Sequence, residues 1–177
     1  MLKMNKNLII INGAPGVGKT TTCEELAKII TKNVYLDCDC FMWVNPYIVT
    51  EETERVRYEN IIFTTKNYLN CSEYENVIIN WVFVNQEAID KILNGINLSN
   101  VNVFTFSLLC NPDIWKKRME NDKINIKRKI ETTFEKWTKR INEGYYERIK
   151  SIIIETSNIT AKQVAEMIVE KMNIKIQ

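Results

Sequence analysis

The sequence predicts an α/β doubly wound domain with a five-stranded parallel sheet, and three observations carry that prediction. A glycine-rich stretch, Gly13-Ala14-Pro15-Gly16-Val17-Gly18-Lys19-Thr20, stands between a short apolar run and a helical pattern. Apolar runs then alternate with helical periodicities along the chain, the pattern of strand–helix–strand units. No repeat, low-complexity tract or Pro/Gly-rich linker interrupts the 177 residues, a length that suits one domain with a sizeable core.

Leu8-Ile9-Ile10-Ile11 reads as a buried strand, and Thr21 to Ile30 as the helix after the glycine-rich stretch. Asn33 to Asp37 is a second strand that ends in an acidic cluster. Phe41 to Val49 is an aromatic-rich connection. Thr50 suits a helix N-cap, with Glu51 and Glu52 placed to complement the helix dipole, and the helix extends to about Asn70. Val77 to Phe83 is a continuous apolar run, the mark of a strand buried on both faces. Asn85 caps the next helix, which ends at Gly95. Val101 to Leu109 is a fourth strand. Asn111-Pro112 places an N-cap before a proline at the first helical position. Glu120 to Lys129 is polar and basic without a core pattern, and a longer helix follows to about Lys150. Ser151 to Glu155 is a fifth strand. Thr160 and Gln163 form a capping box, with Ile159 and Val164 spaced for a hydrophobic staple, at the head of the last helix.

The glycine-rich stretch fits G-x-x-x-x-G-K-[ST], the phosphate-binding loop (Walker A) pattern, in the strand–loop–helix setting the pattern needs. Glycines let the backbone close around phosphate oxygens. Loop amides and the helix N-terminus direct partial positive charge at the anion. Lys19 would reach the β- and γ-phosphates of a nucleotide, Thr20 would place its hydroxyl on Mg2+, and Thr21 extends the contact run. In a doubly wound sheet, ligands sit beyond the carboxyl ends of the strands. Asp37 and Asp39, Asn80 and Trp81, and Asn111 all fall at such ends and are expected to meet in one cleft with the loop.

Composition narrows the chemistry. The net charge is only +2, which gives no general case for nucleic acid or a membrane surface, and no segment approaches a membrane span. Lys3 and Lys6 precede an apolar run too short for a signal peptide. The five cysteines, Cys23, Cys38, Cys40, Cys71 and Cys110, fit no zinc or disulfide framework and read as reduced thiols of a cytoplasmic protein. With no histidine in the chain, a general base must be a carboxylate, lysine, cysteine or tyrosine. An aspartate at the end of strand two is the best candidate. Alternation puts Asp37 and Asp39 on the same side if that strand continues. Trp43, Asn45, Pro46, Tyr47 and Trp81 are candidates to line an acceptor pocket, since aromatic rings offer flat apolar walls with polar tips. Arg118, Arg128 with its neighbours Lys127 and Lys129, and Arg140 are cations that could neutralise a moving phosphoryl group.

On these residues the chain resembles the small P-loop kinases: shikimate kinase, gluconate kinase, chloramphenicol phosphotransferase and the nucleoside monophosphate kinases. Within that group it looks most like bacterial nucleotide-kinase-like proteins. The resemblance covers nearly the whole chain in element order, with the phosphate loop as its specific motif. It implies a P-loop NTPase three-layer α/β/α sandwich, sheet order 2-3-1-4-5, an acceptor-binding segment near 41–72 and a small helical lid near 120–130. It also implies ATP and Mg2+ as cofactors. Asp37-Cys38-Asp39 resembles the D-x-D of shikimate kinases, which implies Asp37 near the metal and Asp39 at the acceptor hydroxyl; in chloramphenicol phosphotransferase a single aspartate is the base, so the roles could be exchanged. Arg118 matches an arginine that packs on adenine, Ser157 falls in the adenine-contacting loop after strand five, and Arg128 lies where a lid arginine falls. Two departures bear on the acceptor. Asn80-Trp81 stands where shikimate kinases are glycine-rich, and the segment after strand two lacks an arginine before its helix, where Arg55 and Arg57 first occur.

Three readings stay open in the sequence: a kinase acting on a small-molecule hydroxyl, with Asp39, Trp43, Asn80, Trp81 and Arg140 at the acceptor; a nucleoside monophosphate kinase; and a nucleotide-dependent switch or binding module with little transfer. The sequence leaves the oligomeric state undetermined.

Overall fold

The structure, a computed structural model, describes residues 6–121 and 130–173. Lys3 and the expected lid residues Lys127, Arg128 and Lys129 lie outside the described residues. The strands are β1 (Lys6–Gly13), β2 (Asn33–Asp37), β3 (Asn76–Asn80), β4 (Val101–Leu109) and β5 (Ile152–Glu155). They form a five-stranded sheet of order β2-β3-β1-β4-β5, every pair parallel, as expected. The helices are α1 (Lys19–Ile29), α2 (Glu51–Asn70), α3 (Gln86–Asn94), α4 (Pro112–Asn121), α5 (Ile130–Asn142) and α6 (Ala161–Met172). With α1 packed on α6 and α2 packed on α3 and β3, the architecture is a three-layer α/β/α sandwich.

β1 is central because its sequence allows nothing else. Leu8, Ile9, Ile10 and Ile11 are apolar without alternation, so a strand built from them must be covered on both faces, and all four are fully buried. Burying such side chains contributes roughly 1.5–3 kcal/mol each. Ile9 sits in register between Ile78 of β3 and Phe104 of β4. The sequence-level caps hold. Thr50 and Thr160 form reciprocal capping boxes with Thr53 and Gln163, and Asn85 accepts from the Ala88 amide.

Two boundaries, the ends of β3 and α5, differ from expectation, while β2 ends at Asp37 as expected and does not carry on to Asp39. The Asp37 carboxylate accepts from the Asp39 amide at 3.0 Å and caps a 3-10 helix over Cys38–Met42, so strand alternation does not relate the two aspartates. β3 ends at Asn80. The Trp81 amide still donates to the Ile11 carbonyl at 3.2 Å, but the Phe83 amide is taken by the Asn12 side chain at 2.9 Å, and the chain leaves the sheet. α5 ends at Asn142, well short of Lys150, because Gly144 adopts φ +83°. That left-handed residue turns the chain back and buries Tyr145, Tyr146 and Ile149.

Candidate active site

The glycine-rich loop crosses from β1 to α1 at the carboxyl end of the sheet. Gly16 and Gly18 have φ of 80° and 107°, conformations that side chains disfavour. Gly18 is the N-cap of α1 and offers no side-chain cap, which suits a helix end that receives an anion. Lys19 is 9% exposed, and its ammonium donates to the Gly13 and Ala14 carbonyls at 3.0 and 3.2 Å. It therefore lies folded across the loop. Two residues of α4 brace the loop from outside. The Trp115 indole donates to the Pro15 carbonyl at 2.8 Å, and the Arg118 guanidinium donates to the Val17 carbonyl at 3.2 Å.

The ends of α1, β2 and β3 meet at one carboxylate. Asp37 Oδ2 accepts from the Thr20 hydroxyl at 3.1 Å, the Tyr35 phenol at 3.2 Å and the Asn80 amide at 3.5 Å. Burial and the adjacent Asp37 charge both push the Tyr35 phenol up, so it stays a hydrogen-bond donor to the carboxylate. The same influences push the Cys23 thiol up. Asn80 is 2% exposed, and its carbonyl oxygen is buried without a hydrogen-bond partner among the described residues. An unpaired buried acceptor calls for a donor. Thr20 and Asp37 thus present hydroxyl and carboxylate oxygens together, the hard oxygens that Mg2+ and its bound waters prefer, with the Asn80 amide nitrogen turned toward both. These residues fit the metal that the resemblance implies.

The remaining candidates fall in three places. Arg118 also donates to the Thr156 hydroxyl and carbonyl, at 3.0 and 2.6 Å, which ties the loop after β5 to α4. In that loop the Ser157 hydroxyl accepts from the Asn111 amide at 2.7 Å. A cleft of about 430 Å³ opens there, lined by Cys110, Asn111, Trp115, Ile141, Glu155 and Ser157. Arg140 stacks its guanidinium over Trp137, with 4.9 Å to the ring centre, and Trp137 meets Tyr145 edge-on. Asp39 lies exposed on the 3-10 helix. The two candidate pocket tryptophans separate. Trp81 is 9% exposed and packs edge-to-face between Tyr58 and Phe83, while Trp43 is 83% exposed. Trp81 is a core-packing residue, held there because β3 has already ended and its ring turns under α2.

Sequence reasoning missed Asn12, which is fully buried just before the loop. Its carbonyl oxygen accepts from the Phe83 amide and, at 3.0 Å, from the Tyr145 phenol, while its amide donates to Ser107 at 3.2 Å. One side chain thus joins β1, β4, the chain after β3 and the turn after α5. An asparagine inside an otherwise apolar strand was the available signal.

Comparison with known proteins agrees with this geometry. A family model described as AAA domain matches residues 9–141. No curated protein matches the chain. Among solved structures, the tunicamycin resistance protein of Deinococcus radiodurans superposes with a TM-score of 0.69 at 17% identity, covering 97% of this chain and 98% of that one. A gluconokinase from Sinorhizobium meliloti gives 0.69 at 11% identity, with 97% and 94% covered. A shikimate kinase from Bacteroides thetaiotaomicron gives 0.63 at 15% identity, with 94% and 98% covered. The chain belongs to the AAA domain family, and its fold is that of the small P-loop kinases.

Proposed function

We propose that the protein transfers the γ-phosphoryl group of ATP, with Mg2+, to a hydroxyl of a small-molecule acceptor. The observation that carries this reading is the 3.1 Å bond between the Thr20 hydroxyl and Asp37, made at the mouth of the phosphate loop with Asn80 alongside. It joins the loop's metal-facing hydroxyl to a carboxylate from a different strand. A bound Mg2+ supplies charge neutralisation on the phosphates.

In this reading Lys19 swings from the Gly13 and Ala14 carbonyls to the phosphate oxygens, and the amides from Gly13 to Thr21 hold the remainder. Thr20 and Asp37 hold the metal and its waters, with the Asn80 amide nitrogen bracing both side chains from behind. Asp39, exposed two residues beyond, orients the acceptor hydroxyl and takes its proton. Arg118 has the edge of its guanidinium bound to carbonyls, which leaves its flat face for stacking on the base. Ser157 flanks the base, and the cleft beside it offers volume. Arg140 is the described cation for the acceptor side, and Arg128 closes with the lid near 120–130. The likeness in fold to a gluconokinase and a shikimate kinase supports transfer to a hydroxyl over simple nucleotide binding.

The test is ATP consumption with and without Mg2+ across nucleosides, nucleotides, sugars, polyol acids and antibiotics. Turnover that vanishes in Lys19→Ala is expected, since the charge it neutralises is worth on the order of a hundredfold or more. Undiminished turnover in that variant would remove this site from the reaction.

A further inference from the structure

α2 is apolar on two faces, and only one of them is covered. Arg57, Ile61, Thr65 and Leu69 recur every fourth residue and form the face buried toward β3 and α3. Val56 and Phe63, seven residues or two turns apart, lie one above the other on the face turned to solvent. They are 43% and 65% exposed, and Val49, just ahead of the Thr50 cap, continues the line at 59%. Scattered exposed apolar residues need no explanation, but a row of three large ones along a helix is a surface that calls for a partner.

Symmetry and charge identify the partner. Three apolar residues spaced evenly about Val56 map onto themselves when a second α2 lies antiparallel across a twofold axis at Val56. Val56 then meets its own copy, and Val49 of each chain meets Phe63 of the other. The same rotation brings one charged edge of the helix against itself. That edge holds Arg55 and Glu59, both exposed and paired within the chain at 2.8 Å. In the antiparallel pair, Arg55 of each helix stands within about 3 Å, along the axis, of Glu59 of the other, two residues of helical rise. Each arginine therefore lies between its own Glu59 and that of the other chain. Glu52 adds a carboxylate to this edge, which the arginines share. The opposite edge carries Asn60 and Asn67, neutral amides that donate and accept.

We propose that the protein associates as a twofold dimer through the outer face of α2, with a second copy of the chain covering the Val49–Val56–Phe63 stripe.

Sedimentation velocity on the full chain, from roughly 1 to 100 µM, reads the association directly. The expected result is a monomer–dimer equilibrium. Phe63→Glu should raise the dissociation constant about thirtyfold or more, the scale of a central interface residue. Its urea midpoint should stay that of the native chain, because the ring already faces solvent in the monomer. A charge exchange reads the orientation. Arg55→Glu and Glu59→Arg chains should each lose self-association, and an equimolar mixture of the two should regain it, since Arg then faces Glu at both cross-chain contacts. A chain that is monomeric at every concentration overturns the proposal in favour of a different partner on the stripe. A dimer whose affinity survives Phe63→Glu uses another face and overturns it as well. A mixture that stays monomeric overturns the antiparallel pairing. None of these results bears on the kinase reading, which the ATP consumption assay tests separately.

Discussion

Asn80 is the residue at which the chain departs most from a metal-supporting carboxylate, and its surroundings say what it does instead. Its amide nitrogen approaches both Asp37 Oδ2 and Thr20 Oγ1 at 3.5 Å, and its buried carbonyl has no partner among the described residues. A second carboxylate at this place would face Asp37 across a hydrogen-bond distance and repel it. An amide avoids that conflict and turns a donor toward both side chains. Asn80→Ala should leave ADP affinity without metal unchanged and reduce the gain that Mg2+ brings by about tenfold, the usual effect of removing a group behind a metal ligand. Titration calorimetry in the presence and absence of Mg2+ measures both quantities. The role of Asn80 was half visible in the sequence. Its place at a strand end was legible; its orphaned oxygen was not, because that depends on Thr20 and Asp37 arriving from other elements. Asp37 and Asp39 show the same limit. The sequence put both at the end of β2, but the 3-10 cap that separates them is made by a side chain, which strand periodicity does not register.

Among the elements, α4 does more than cover the sheet. Its first turn was legible, since Asn111 and Pro112 are a cap and a first helical residue, and α4 does begin at Pro112. Its function was not, because Trp115 reads as a core position from spacing alone. Trp115 is indeed buried, yet its indole N–H also holds the Pro15 carbonyl. Trp115→Phe keeps most of the apolar volume and removes the donor. Leaving that carbonyl unpaired should lower stability by about 1 kcal/mol, read by chemical denaturation, and should weaken ADP binding several-fold through a looser loop. Equal ADP affinity in the two proteins would show that the loop holds its shape without this brace. The short α5 belongs to the same scale. Apolar periodicity continues through Tyr145, and only the positive φ of Gly144 reveals that the helix has already turned.

Across the whole molecule, strand order and layer architecture were the most legible features, since alternating apolar runs and amphipathic helices admit few arrangements. What the pattern could not show is how the strand ends are tied together. Asn12 makes that tie, with bonds to Ser107, Phe83 and Tyr145. Asn12→Leu would fit the apolar strand by size and leave the Phe83 amide and the Tyr145 phenol without their acceptor. The expected cost is about 2–4 kcal/mol, read as a lower urea midpoint with an unchanged slope. A midpoint equal to that of the native chain would show that water or a shifted side chain replaces the amide. Among the described residues, no helix is long and apolar enough to cross a membrane.

The brace on the phosphate loop has a consequence during synthesis. Trp115 and Arg118 leave the ribosome about a hundred residues after the carbonyls they hold at Pro15 and Val17. A nascent chain that has emerged only through β3 displays the entire Gly13–Thr20 motif without the clamp that shapes it. Vectorial translation therefore makes the brace a late contact, formed only when α4 docks on a loop whose own residues emerged long before.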